Sequence, residues 1–142
     1  MRGALFIAMG LMAGSFSLTV SASVPTSVEW VDGESGRLNG KPFRLHDVDA
    51  PEIGGVGAKL RGAQCAKEVE LGFRSRAYMA KLTRGRPVHV TAEYGIDPFG
   101  RVIVDLSMDE QDLAEAGLSE GVLRAWPEEQ GRDAATKPDW CE

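Results

Sequence analysis

Residues 42–52 read PFRLHDVDAPE. Phe43, Leu45 and, after His46-Asp47, Val48 are apolar positions with polar residues between them, the pattern of a strand with one face buried. The run stops at Ala50-Pro51, where proline has no N–H with which to continue a ladder. Three carboxylates (Asp47, Asp49 and Glu52) and one imidazole therefore gather where a strand ends, just after Arg44. Strand ends and the loops that follow them are where catalytic groups tend to sit.

Upstream, SVEWV (27–31), DGESG (32–36) and RLN (37–39), then a Gly40-Lys41 turn, complete a meander of three short strands. Downstream, EIGGVGAKLRGAQ (52–64) is Gly-rich and without period, so it reads as a loop. From about Cys65 to Leu82, Val69, Phe73, Ala77 and Ala80, with Leu71 and Tyr78 beside them, recur at helical spacing and predict an amphipathic helix ending at Gly85. RPVHVTAEYG (86–95) alternates as a strand, DPFG (97–100) is a turn with Pro second and Gly fourth, and RVIVDLSM (101–108) is its hairpin partner. A second helix is expected from Gln111 to Glu120, followed by a polar, irregular tail from Pro127 to Trp140-Cys141. Three strands, a helix, two strands and a helix describe a mainly β, α+β chain. The best match is a five-stranded OB-fold Greek-key barrel with one helix between strands 3 and 4 and another near the C-terminus. A generic α+β sandwich is the alternative.

With 142 residues, 43% apolar and 26% charged, the chain has the composition of one globular domain. Met1-Arg2, an uncharged apolar run and Val20-Ser21-Ala22 form a secretory signal, residues 1–22, leaving residues 23–142 as the domain. An uncleaved membrane anchor is the other reading; after cleavage no stable membrane association is expected. Both readings place the domain outside the cytoplasm, secreted or periplasmic. There, Cys65 and Cys141 are candidates for a disulfide closing a span of 76 positions, with two free thiols as the alternative. Neither has a second Cys or His at zinc-ligand spacing. The formal net charge of −5, or −6 once Arg2 is removed, argues against a simple nucleic-acid binder unless local basic groups or a metal reverse the field.

Arg44, Arg101, Glu34, Asp49 and Glu52 are the components of a metal-assisted phosphodiesterase. Guanidinium groups bind phosphate oxygens and neutralise charge in the transition state; carboxylates hold a hard divalent cation; a further carboxylate takes a proton from water. The segments VDGES (31–35), FRLHDVDAPE (43–52), the Gly-rich loop leading into a helix, DPFGR (97–101) and DLAEAGLSEG (112–121) resemble the thermonuclease, or staphylococcal-nuclease-like, family in order and spacing, over about Ser27 to Trp126. The resemblance implies an OB-fold and calcium-dependent cleavage of DNA and RNA. By position, Arg44 and Arg101 would bind phosphate, Glu52 would be the general base, and Asp49 with the Ala50 carbonyl would hold calcium. Glu34 falls where the family usually has an aspartate ligand, and its carboxylate stands one methylene further out. Trp126 lies close to where the family contacts a base.

Plainer roles stand beside these. Arg44 could form a structural ion pair with Asp49 or Asp47, Glu34 could be a turn carboxylate, and Asp32 is expected to brace its turn through an Asx hydrogen bond. His46 and His89 have no His or Cys partner at ligand spacing; Trp30 and Trp140 read as packing residues. The expected function is an exported, monomeric, calcium-dependent nuclease acting on single-stranded DNA or RNA. The alternatives are a catalytically lapsed OB-fold module binding an oligonucleotide, peptide or protein, and an exported structural domain.

Overall fold

The computed structural model describes residues 26–128, 132 and 135–142. The expected signal segment and its cleavage site at Ala22 lie outside them. The chain is mixed α+β: β1 (Val28–Trp30), β2 (Ser35–Leu38), β3 (Lys41–Leu45), β4 (Val48–Asp49), α1 (Ala66–Thr83), β5 (His89–Ile96), β6 (Val102–Met108), β7 (Gln111–Asp112), α2 (Leu113–Glu120) and β8 (Arg124–Ala125). Among the described residues no helix is long and apolar enough to cross a membrane.

The main sheet runs β1-β2-β3-β6-β5, with β7 on β6, and β4 pairs separately with β8. The β1–β2–β3 meander and the β5–β6 hairpin are antiparallel, whereas β3 and β6 are parallel, with Phe43 opposite Val102 and Leu45 opposite Val104. The expected closed barrel is not formed: the sheet is open. Among the described residues its outer edges meet at one isolated bridge, Thr26 to Val88. β1 is three residues long and ends where Val31 and Asp32 turn their N–H groups onto the Ser35 carbonyl, too short to zip along the eight residues of β5.

The core lies between this sheet and α1, around Phe43, Leu45, Met79, Leu106 and Leu113. Trp30 meets Phe43 edge-on at 5.4 Å, and its indole N–H donates to Thr83 at 2.9 Å. Strand β6 contributes alternate residues Val104, Leu106 and Met108, but β5 is an edge strand, largely exposed along its length. Two boundaries differ from the sequence reading. Val48–Asp49 is a strand distinct from β3, because His46 and a left-handed Asp47 intervene; Gln111–Asp112 pairs with β6, so Asp112 caps α2 rather than lying inside it.

The apolar stripe is only part of the buried face of α1: Tyr78 and Ala80 pack against the core, but the fully buried positions are others. Glu68, Gly72, Ser75, Met79 and Thr83 are buried, while Phe73 is 53% exposed. At two of these positions the packing leaves room only for a small residue: a Cβ on Gly72 would stand 2.6 Å from the Glu52 carbonyl oxygen, and Ser75 lies so close to Gly33 that a Cβ there would collide with its Oγ. Gly72→Ala is therefore expected to destabilise the domain by about 1–3 kcal/mol in chemical denaturation, overriding the roughly 1 kcal/mol that alanine gains in a helix interior. Stability equal to the parent would show that the 51–52 backbone yields freely.

Candidate functional site

Three connections build one cleft. The β2–β3 register sets Ser35 opposite Arg44, and the Leu45 N–H donates to the Glu34 carbonyl at 2.7 Å, bringing the DGES turn over β3. The parallel β3–β6 register sets Val102 opposite Phe43, so Arg101, just before it, comes beside Pro42, near the start of β3 and two residues before Arg44. The β4–β8 pairing and a 2.8 Å bond from Trp126 N–H to the Asp47 carbonyl bring in Trp126. Glu34, Arg44, Asp49, Glu52, Arg101 and Trp126 thus line a single cleft of about 550 Å³. Ala50, buried, donates its N–H to Glu34 Oε2 at 3.0 Å.

Asp32 braces its turn as expected, accepting from the N–H groups of Glu34 and Ser35 and from the Ser35 hydroxyl. Arg44 is buried and pairs with Glu34, Nη2 to Oε2 at 3.2 Å, rather than with Asp47 or Asp49; it also donates to the carbonyls of Val48 and Leu45. Its Nε and Nη2 are thereby engaged within the fold. Arg101 is held differently. Its Nε donates to Asp97 at 2.7 Å, and Asp97 Oδ1 accepts the N–H groups of Phe99 and Arg101 across the Asp-Pro-Phe-Gly turn. Burial would raise the Asp97 carboxyl, but these bonds hold it below its ordinary value, so it stays an anionic anchor for the guanidinium.

The C-terminal segment supplies groups that the sequence reading did not place here. Cys65 and Cys141 form the expected disulfide, with Cys65 at the N-cap of α1. Lys137 Nζ lies 2.7 Å from Glu52 Oε1 and 3.8 Å from Asp49 Oδ1, and the buried Trp140 donates its indole N–H to Asp49 Oδ2 at 2.7 Å. Trp140 is thus a polar partner of the site as well as a packing residue. Glu68, buried on α1, accepts the backbone N–H groups of Glu52 and Gln64, fixing the loop that carries Glu52. Lys59, Arg61 and Arg37 also line the cleft. Proximity of Lys137 to Cys141 in sequence was the available signal, since a bridge to Cys65 brings its neighbours along.

A divalent cation of the kind the resemblance implies does not fit the site as it stands. Among the described residues, no group of three or more His, Cys, Asp or Glu is placed to hold a metal ion. Glu34 Oε2 accepts from Arg44 and Ala50, and both Asp49 oxygens and Glu52 Oε1 face Lys137 or Trp140. His46 stacks on Tyr94 at 3.6 Å, beside Asp47, Asp105 and Glu128 and outside the cleft; His89 is exposed.

Burial pushes the Glu34 carboxyl from 4.5 up to about 8, with Arg44 pulling it down and Asp49 and Asp32 pushing it further up. Burial likewise pushes Asp49 up to about 6, against Lys137 and the Trp140 bond. Both groups hold protons more tightly folded than unfolded, so stability falls as pH rises, for Glu34 from 4.5 until it levels off above about 8. In Glu34→Gln, the thermal midpoint should decline less across that window than in the parent. An unchanged slope would assign the pH dependence to other groups.

Comparison with protein-family models and with curated proteins finds no match to either.

Proposed function

We propose that the chain is an exported nuclease of the thermonuclease type, hydrolysing phosphodiester bonds of single-stranded DNA or RNA as a monomer. The observation that carries this reading is the cleft itself: Arg44 from β3, Arg101 from the turn before β6 and the Glu34, Asp49 and Glu52 carboxylates open onto one volume. The strand order β1-β2-β3-β6-β5, the position of α1 between the meander and the hairpin, and the Thr26–Val88 bridge support an OB-fold-like reading of the open sheet. The disulfide supports an oxidising, exported setting.

In this reading Arg101 binds the non-bridging phosphate oxygens and meets the charge that grows on them in the transition state. Arg44 contributes its charge from the floor of the cleft. Glu52 takes a proton from a water whose oxygen bonds to phosphorus as the ester P–O bond breaks; the departing alkoxide is protonated from solvent. Trp126, beside the Arg44 and Arg132 guanidiniums, offers a ring to a base. Calcium, which the resemblance would place on Glu34, Asp49 and the Ala50 carbonyl, enters this proposal as a ligand to be tested, and none of these steps is routed through it.

Cleavage of a quenched single-stranded DNA by the purified protein, with calcium and with chelator, tests the reading. Calcium-dependent signal that falls by about 10²–10⁴-fold in Glu52→Gln is expected. No cleavage by a folded sample with calcium would favour the second reading, a lapsed binding module, for which the Lys137–Glu52 pair speaks.

A further inference from the structure

The Gly-rich segment between β4 and α1 is folded on itself. Both of its feet rest on one buried carboxylate: Glu68 Oε1 accepts the Glu52 N–H at 3.1 Å and Oε2 the Gln64 N–H at 2.7 Å. Between them Gly54 and Gly62 form a parallel bridge, the Gly54 N–H donates to the Arg61 carbonyl at 2.8 Å, and the Gly57 N–H donates to the Ala63 carbonyl at 3.0 Å. The two bridging glycines are needed for this closeness, since a Cβ on Gly54 would stand 2.2 Å from the Arg61 carbonyl oxygen and one on Gly62 2.0 Å from that of Ala58. The loop so held puts Lys59, Leu60 and Arg61 on the wall of the cleft.

These cations lack the partners that the other cations of the cleft have. Arg44 faces Glu34, Lys137 faces Glu52 and Arg101 faces Asp97. Among the described residues Lys59 pairs with no carboxylate, and Arg61 lies 3.8 Å from Asp32, whose oxygens already accept from Glu34 and Ser35. Leu60, between them, is 84% exposed, and Phe99, 82% exposed, lines the same cleft. Six cationic side chains line that cleft against four carboxylates, although the chain as a whole carries −5, so positive charge is concentrated here against the general trend. We propose that the 54–62 loop is a binding arm for a single strand: Lys59 and Arg61 each take a phosphate beyond the one at Arg101, and Leu60 packs on a base. The inference rests on the nuclease reading and names the ligand of its cleft as an oligonucleotide rather than a mononucleotide. A duplex keeps its base faces stacked inside, so Leu60 would find none there, whereas a single strand offers both a backbone for the cations and a free face for the apolar side chain. Because Glu68 ties the loop to the Glu52 backbone, a strand seated on the arm is also positioned relative to Glu52.

Fluorescence anisotropy of a labelled octathymidylate, titrated with the purified protein in chelator so that strand binding is read without cleavage, tests this. Circular dichroism checks that each variant is folded. Lys59→Ala combined with Arg61→Ala should weaken binding by about 10–100-fold at about 50 mM salt, and should make the slope of log affinity against log salt shallower by about 1.4, the value of two single-strand phosphate contacts. Lys59→Glu alters an exposed side chain without a carboxylate partner, so it leaves the fold intact and should weaken binding as much. Lys81→Ala removes the same charge from the exposed last turn of α1, outside the cleft, and should bind like the parent. Leu60→Ala should lose about threefold to tenfold on octathymidylate and nothing on an abasic strand of the same length. Parental affinity and salt slope in the double variant overturn the inference, as do an equal loss in Lys81→Ala and absence of octathymidylate binding by the folded parent. Arm-dependent binding with no cleavage once calcium is added would sink the nuclease reading and leave the arm standing, whereas cleavage by the parent that is unaltered in the arm variants would do the reverse.

Discussion

If the chain is the nuclease proposed, Arg101→Ala is expected to lower its single-stranded DNA cleavage by about 10²–10³-fold, the loss seen when one preorganised donor to a developing oxyanion is removed. Stability should change little. Asp97 keeps the turn through the N–H groups of Phe99 and Arg101, which the substitution leaves in place, and the Gly100 N–H still reaches the Asp97 carbonyl at 3.0 Å. Arg101→Lys should recover part of the rate, since it restores the charge without the planar fork that grips two phosphate oxygens. Arg44 is a poorer probe. It is buried against Glu34 and the Val48 and Leu45 carbonyls, so its loss strands a carboxylate and two acceptors and mixes a folding defect with a catalytic one. Full activity in Arg101→Ala, with an unchanged denaturation midpoint, would remove the phosphate-clamp assignment.

The second large effect is on stability. Cys141→Ser should cost about 4 kcal/mol, because the bridge closes a loop of 76 positions that an unfolded chain otherwise explores freely. The loss is compounded at the site: with the tail released, the indole N–H on Asp49 and the ammonium on Glu52 are no longer held in place. Denaturant midpoints of the variant and of the parent in reductant should coincide, both below the oxidised parent. A variant as stable as the oxidised parent would mean that the tail contributes nothing to the fold.

Much of the local structure is legible because its causes are local. Pro51 stops a strand, Gly85 and Gly121 with positive φ follow helix ends, and Asp97 with Gly100 closes the turn before Arg101. The face that α1 buries is set partly by something spacing does not contain. Hydrophobicity suggested Val69, Phe73 and Ala77, yet the helix packs against loop backbone at Glu52 and Gly33, where only small side chains fit. Element order suggests a closed barrel, but closure depends on how far β1 extends beside β5, and β1 stops after three residues.

For the candidate site the division is similar. Which acids and arginines share a cleft follows from the positions of strands in order along the chain, and Glu34, Arg44, Asp49, Glu52 and Arg101 were readable from that order. What each is bonded to was not. Lys137 and Glu52 are 85 positions apart and Trp140 and Asp49 are 91 apart, so no window of sequence contains either pair. By itself the sequence determined the elements, the turns and the candidate disulfide, because backbone sterics and hydrogen bonding between near neighbours set these. Only the tertiary structure decided that the tail's ammonium and indole pair with the acidic groups, because carboxylates drawn out of solvent take the partners that chain closure brings within hydrogen-bonding distance.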